Sequence, residues 1–130
     1  MDKKNVLKLF ALFFLVVSLT SFASAAITAK INASRTDNCV APCAIFFEGT
    51  DSLDNSGNSI NSIGLVDAGI TKYEWDFGAG TENDISSGGR YFEGFNAAHV
   101  YETPGTYTAR LTVRDAAGNY DTRMLTPKGL

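Results

Sequence analysis

From residue 26 onward the chain alternates apolar and polar side chains in short runs with a period of two. Ile70-Thr71-Lys72-Tyr73-Glu74-Trp75-Asp76-Phe77 sends Tyr73, Trp75 and Phe77 one way and Lys72, Glu74 and Asp76 the other. Residues 106–114 repeat the pattern, with Tyr107, Ala109, Leu111 and Val113 inward and Thr106, Thr108, Arg110, Thr112 and Arg114 toward water. Further strands are predicted over 26–32, 44–48, 95–101 and 120–125, the first with Ile27, Ala29 and Ile31 on one face. Thr103-Pro104-Gly105 supplies a turn and Asp115-Ala116-Ala117-Gly118-Asn119 a hairpin. No segment keeps a helical period over three turns, so no long helix is expected. Half-buried strands separated by turns build a two-sheet, all-β antiparallel sandwich of about seven strands with Greek-key connections. Trp75 is expected at its centre, because no other side chain buries as much apolar area.

Two stretches break the alternation. Residues 49–69 are dense in Asn, Asp, Ser and Gly, which favour turns, and are long for a connection in a compact domain. Ile60, Ile63, Leu65 and Val66 are placed to pin that stretch to the sandwich or to add a short strand. Residues 78–94 hold Gly78, Gly80, Gly88, Gly89 and Gly94 and read as irregular, with Tyr91 and Phe92 inside them.

The N-terminus follows other rules. Lys3, Lys4 and Lys8 precede an apolar run of about eleven residues from Leu9, and Ala23-Ser24-Ala25-Ala26 follows. That is the layout of a secretory signal peptide cut after Ala25, the alternative being an uncleaved anchor. The run is short of the roughly 20 residues that span a membrane. No Cys follows it, so no lipid anchor is indicated. The expected organisation is a signal at 1–25, one sandwich at 26–125 and a tail or linker start at 126–130. Taking Lys3, Lys4, Lys8 and Asp2 from 11 basic and 14 acidic residues leaves 8 and 13, a net of −5. A surface of that sign, with no basic cluster, excludes nucleic acid and anionic lipid as natural partners. Cys39 and Cys43 are the only cysteines; in an exported chain a disulfide is the default, with free thiols and a metal site as alternatives. His99, the lone histidine, adds too little to two thiols for a structural zinc site.

Three groups of residues together resemble the PKD (polycystic kidney disease) domain family. Tyr73-Glu74-Trp75-Asp76-Phe77-Gly78 is similar to the family's Tyr-x-Trp-Asp-Phe-Gly strand. His99-Val100-Tyr101, Pro104-Gly105-Thr106-Tyr107, Leu111-Thr112-Val113-Arg114-Asp115 and Gly118 follow in the family's order and spacing. Residues 41–49 resemble its Ala-Pro, apolar strand and small-residue turn more weakly. The resemblance spans roughly residues 27–125 and implies an immunoglobulin-like sandwich serving as a non-catalytic extracellular module. Tyr107 after Pro104-Gly105 also fits a tyrosine corner. The sequence departs from the family at Ala79, where an acid is common, and in two long loops.

Candidate chemistry is sparse. Glu74 and Asp76 share a strand face, but an exposed face lacks the pocket that catalysis by two carboxylates requires. Asp51, Asp54 and Asp76, with Asn55, are oxygen donors at one expected end of the sandwich; the resemblance admits calcium there, and Ala79 removes one ligand. No other cofactor is indicated. Tyr91, Phe92 and Phe95 are ligand-contact candidates, as rings that can stack on a sugar or anchor a protein. The expected function is a secreted or cell-surface module contacting protein or polysaccharide, or spacing a partner domain. The rivals are the front end of a longer exported enzyme and a ligand-free spacer.

Overall fold

The computed structural model describes residues 2–5, 26–64, 69–78 and 89–128. Most of the expected signal, Leu65, Val66, Ala79 and the last two residues of the tail lie outside them. Among the described residues, seven strands form two antiparallel sheets. They are β1 (Asn32–Ala33), β2 (Cys43–Glu48), β3 (Ile70–Asp76), β4 (Tyr91–Glu93), β5 (Asn96–Tyr101), β6 (Ala109–Asp115) and β7 (Tyr120–Leu125). One sheet has the order β1-β2-β5 and the other β4-β3-β6-β7. The chain changes sheet between β2 and β3, β4 and β5, and β5 and β6, the crossing pattern of an immunoglobulin-like sandwich.

Alternation explains most of the strands. In β2, Cys43, Ile45 and Phe47 are buried while Ala44, Phe46 and Glu48 are exposed. In β6, Ala109, Leu111 and Val113 have no exposed surface. Between the sheets runs a line of rings. Phe47 meets Trp75 at 5.7 Å and Phe77 at 5.5 Å; Phe77 stacks on His99 at 4.7 Å; His99 meets Tyr101 at 4.5 Å, and Tyr101 meets Tyr107 at 4.7 Å. Offset and edge contacts of this kind add to the gain from burial.

The structure also departs from plain alternation. Ile70 is buried although it has the parity of the exposed Lys72. The register against β6 shifts between Ile70 and Lys72, and this irregularity turns Ile70 inward. The strand expected over 26–32 shrinks to Asn32–Ala33, because its backbone finds mixed partners. Thr28 bridges Leu53, Ala29 N–H donates to Asp121 Oδ2 at 2.8 Å, and Lys30 N–H donates to Ser52 Oγ. Ile27 and Ala29 are nevertheless buried. The strand expected from 106 begins at Ala109, after the corner made by Tyr107. Tyr91–Glu93, read as irregular, is a strand paired with β3. In the long 49–69 stretch, residues 60–63 form a single helical turn with Ile60 packed on the core.

Of the alternatives for the cysteines, the disulfide is the one present. Cys39 and Cys43 are both buried, with Cα atoms 5.8 Å apart. Their short loop leaves Val40 82% exposed.

Candidate functional site

The motif residues build the frame. Trp75 Nε1 donates to the Gly94 carbonyl at 2.7 Å, and the Tyr101 hydroxyl donates to the Phe77 carbonyl at 3.1 Å, so each polar tip is satisfied where its ring is buried. His99 lies in the ring stack, with Nδ1 3.1 Å from the Gly89 carbonyl. Tyr107 reaches across Pro104–Gly105 and donates its hydroxyl to the Thr103 carbonyl at 2.9 Å, which makes the tyrosine corner. Gly78 has φ +69°, and a Cβ there would lie 2.6 Å from the Thr108 carbonyl oxygen, so both conformation and space demand glycine. Asp115 accepts from Asn119 N–H and Nδ2–H at 2.8 Å each and closes the β6–β7 hairpin.

The outer face of the four-stranded sheet is a charge network. Asp76 accepts from Arg90 Nε at 2.9 Å, Arg110 Nη2 at 3.1 Å and Gly78 N–H at 2.9 Å. Burial works to raise its pKa, but Arg90, Gly78 and Arg110 outweigh that and hold it below the usual carboxylate range. Glu74 accepts from Arg114 Nε at 2.7 Å and pairs with Lys72, which also reaches Glu93. The Arg114 hydrogen bond is the main reason that the Glu74 pKa lies low.

The carboxylates considered for calcium therefore have separate occupations. Asp76 serves the arginines. Asp54 is buried and organises its own loop, accepting from Ser56 and Asn58 N–H through Oδ1 and from Gly69 N–H through Oδ2. Asp51 accepts from the Asn32 and Asn61 amides at 2.7 Å each. Among the described residues no three His, Cys, Asp or Glu side chains gather as a metal site.

The three aromatic candidates do not form one platform. Tyr91 pairs with Asp76 and Phe92 with Trp75, so their rings leave opposite faces of β4. Tyr91 lies outside with the Arg90 guanidinium 5.2 Å from its centroid, and Phe92 covers Gly94 at the sheet edge. Phe95 packs edge-on against Tyr73 at 6.4 Å. All three retain exposed surface. Two further exposed rings had no place among the candidates. Tyr120 lies under Arg114 on the same outer face as Tyr91, and Phe46 stands 65% exposed on the opposite sheet. The signal for Phe46 was in the pair Phe46-Phe47. Adjacent residues of a strand point to opposite faces, so in a sandwich one of two neighbouring Phe must face water.

The family model of the PKD domain matches residues 28–126. The chain belongs to the PKD domain family. As a PKD domain it is a non-catalytic accessory module with an immunoglobulin-like sandwich. It is similar to the PKD1 domain of the Vibrio cholerae metalloprotease PrtV at 25% identity and a TM-score of 0.51, over 78% of this chain and 93% of that one. The PKD1 domain of Vibrio anguillarum Epp, 21% identical with a TM-score of 0.51 over 79% and 92%, shares the fold. A third structure was solved for the promiscuous specificity of carbohydrate-binding modules from the β-sandwich superfamily. It is 27% identical with a TM-score of 0.56, and the match covers 81% of this chain but only 34% of that one. No curated protein matches the chain. Among the described residues no helix is long and apolar enough to cross a membrane.

Proposed function

We propose that this PKD domain is exported and holds extracellular polysaccharide through aromatic side chains left outside its core. The observation that carries the reading is the exposure of Phe46, Tyr91, Phe92, Phe95 and Tyr120 on a sandwich whose own packing uses a different set of rings. Exposed rings beside hydrogen-bonding side chains suit sugars, which present apolar C–H faces and polar edges. The likeness to a carbohydrate-binding-module structure agrees, although it spans a third of that chain. The N-terminal segment supports export. Pelleting with insoluble cellulose, chitin and xylan tests the binding. The protein should leave the supernatant with at least one of them, and its staying in solution with all three would sink the reading. Protein recovered from the medium should begin at Ala26; an intact N-terminus would refute the cleavage.

A second reading is favoured by the likeness to a metalloprotease's PKD1 domain. In it the module positions a catalytic partner encoded beyond Leu130, and the reading frame past that codon decides it.

A further inference from the structure

We infer that the saccharide lies on the outer face of the three-stranded sheet, with one pyranose ring stacked on Phe46. This deepens the proposed function and rests on it. The register sets out the face. Asn32, Glu48 and Asn96 form one row across β1, β2 and β5; Phe46 and Ala98 form the next; Ala44 and Val100 form the third. Phe46 is thus surrounded by small side chains on one side and by amides and a carboxylate on the other. Ala44 and Ala98 are too short to cover the ring, which explains why it is 65% exposed in the middle of a sheet.

The face has the parts of a sugar subsite. A groove of about 450 Å³ runs over it, lined by Asn32, Ser34, Phe46, Glu48 and Asn96 among others, within the size range of small-molecule sites. Its floor is fixed, because Phe46 N–H donates to Ser34 Oγ at 3.1 Å and Ser34 N–H donates to the Phe46 carbonyl at 2.9 Å. Its polar row retains spare capacity. Asn32 uses its Nδ2 on Asp51 and keeps its carbonyl; Glu48 uses Oε1 on Thr50 and keeps Oε2; the Asn96 amide has no partner among the described residues. These are acceptors and donors of the kind sugar hydroxyls need.

The occupant follows from the same layout. A stable protein interface buries about 800 Å² per partner around a cluster of large anchors. Among the described residues this face offers one large exposed ring, and a Phe side chain contributes no more than about 250 Å². A single flat ring beside a straight row of hydrogen-bonding groups instead fits a ribbon-like chain of equatorially linked pyranoses. The class expected is a β-1,4-linked glycan.

Calorimetry and saturation-transfer NMR with cellohexaose, the β-1,4-linked N-acetylglucosamine hexamer and maltohexaose test this. A β-1,4-linked hexamer should bind. Phe46→Ala should weaken it by about tenfold or more, Phe46→Trp should retain it, and Asn96→Ala should weaken it severalfold. Phe46 is exposed, so its replacements should keep the wild-type Tm. If Phe46→Ala unfolds, Phe46→Trp and Asn96→Ala decide. If the wild type binds and Phe46→Ala binds equally while Tyr91→Ala does not, the Phe46 site is overturned and the polysaccharide reading stands. If none of the hexamers binds, this inference falls, and pelleting with polysaccharide judges the broader reading separately. If Phe46→Ala instead abolishes self-association of the wild type in sedimentation without affecting sugar, the face is a protein interface and the inference fails.

Discussion

Tyr73 is a buried residue with an unsettled account. Its ring packs against Phe95, yet its hydroxyl has no hydrogen-bond partner among the described residues. Burial, helped by the charge of Asp54, pushes its pKa up to about 12. A buried hydroxyl left unpaired costs about 1–3 kcal/mol. Tyr73→Phe is therefore expected to stabilise the fold by about 1 kcal/mol, read as a higher urea midpoint with an unchanged slope. A lower midpoint would mean that an ordered water satisfies the hydroxyl. Tyr101 is the contrast, since its hydroxyl is bonded to the Phe77 carbonyl and its replacement by Phe should destabilise. At this scale the sequence exposed what the core consumes. Trp75, Phe77, Tyr101 and Tyr107 are legible because apolar bulk on a strand's inward face has nowhere else to go. The role of Asp76 was not legible. Its two arginines come from Arg90 and Arg110, on either side of it in the sheet, and no local pattern links those three positions.

Strand β7 shows what an edge requires. By register Asp121 and Arg123 stand on its inward side, opposite Val113 and Leu111. Inward charge on an edge strand discourages pairing with another chain. Asp121 has a second task, because its Oδ2 accepts the Ala29 N–H and ties the entering chain to this edge. Asp121→Ala is expected to cost about 1.5–3 kcal/mol, the usual worth of a hydrogen bond to a charged group. Limited proteolysis should then cut first within residues 26–31. Unchanged resistance there would show that the burial of Ile27 and Ala29 holds the segment without it. This division explains which elements could be read from the sequence. β2, β5 and β6 lie close to their predicted spans because each has a regular partner and one buried face, and β7 does so through its regular pairing with β6 alone. The segment at 26–32 was overextended because its partners are a loop, a hydroxyl and a carboxylate, none of which leaves a period. β4 was missed because its three residues are all exposed, so its pairing with β3 carries no burial signal. The burial of Ile70 was not legible, because a register shift changes parity without changing composition.

Across the whole molecule, carboxylates act as structural acceptors, and acid should find them together. Asp51, Asp54, Glu74, Asp76 and Asp115 all have pKa values below the ordinary range. Hydrogen bonds from Asn61, from the Asn58 backbone, from Arg114 and from Asn119 lead the causes for Asp51, Asp54, Glu74 and Asp115. For Asp76 the arginines and Gly78 overcome the opposing effect of burial. A folded-state pKa below the unfolded value means that the unfolded chain binds protons first as pH falls. The stabilisation is thus complete above the unfolded values of about 4 and is lost as pH drops through the folded ones. The urea midpoint should fall steadily from pH 5 to pH 3. Asp76→Asn isolates the member held by two arginines, whose side chain is 13% exposed between them. At pH 7 it should cost about 2 kcal/mol, and the gap to wild type should shrink toward pH 3 as the native carboxylate is protonated. A gap of equal size at both pH values would show that the side chain's shape, not its charge, supports the β3–β6 face. Because Asp76 belongs to the four-stranded sheet and Phe46 to the three-stranded one, that variant should leave binding at Phe46 untouched. Stability of the charged face and contact through the apolar one would then be separable properties of the two sheets.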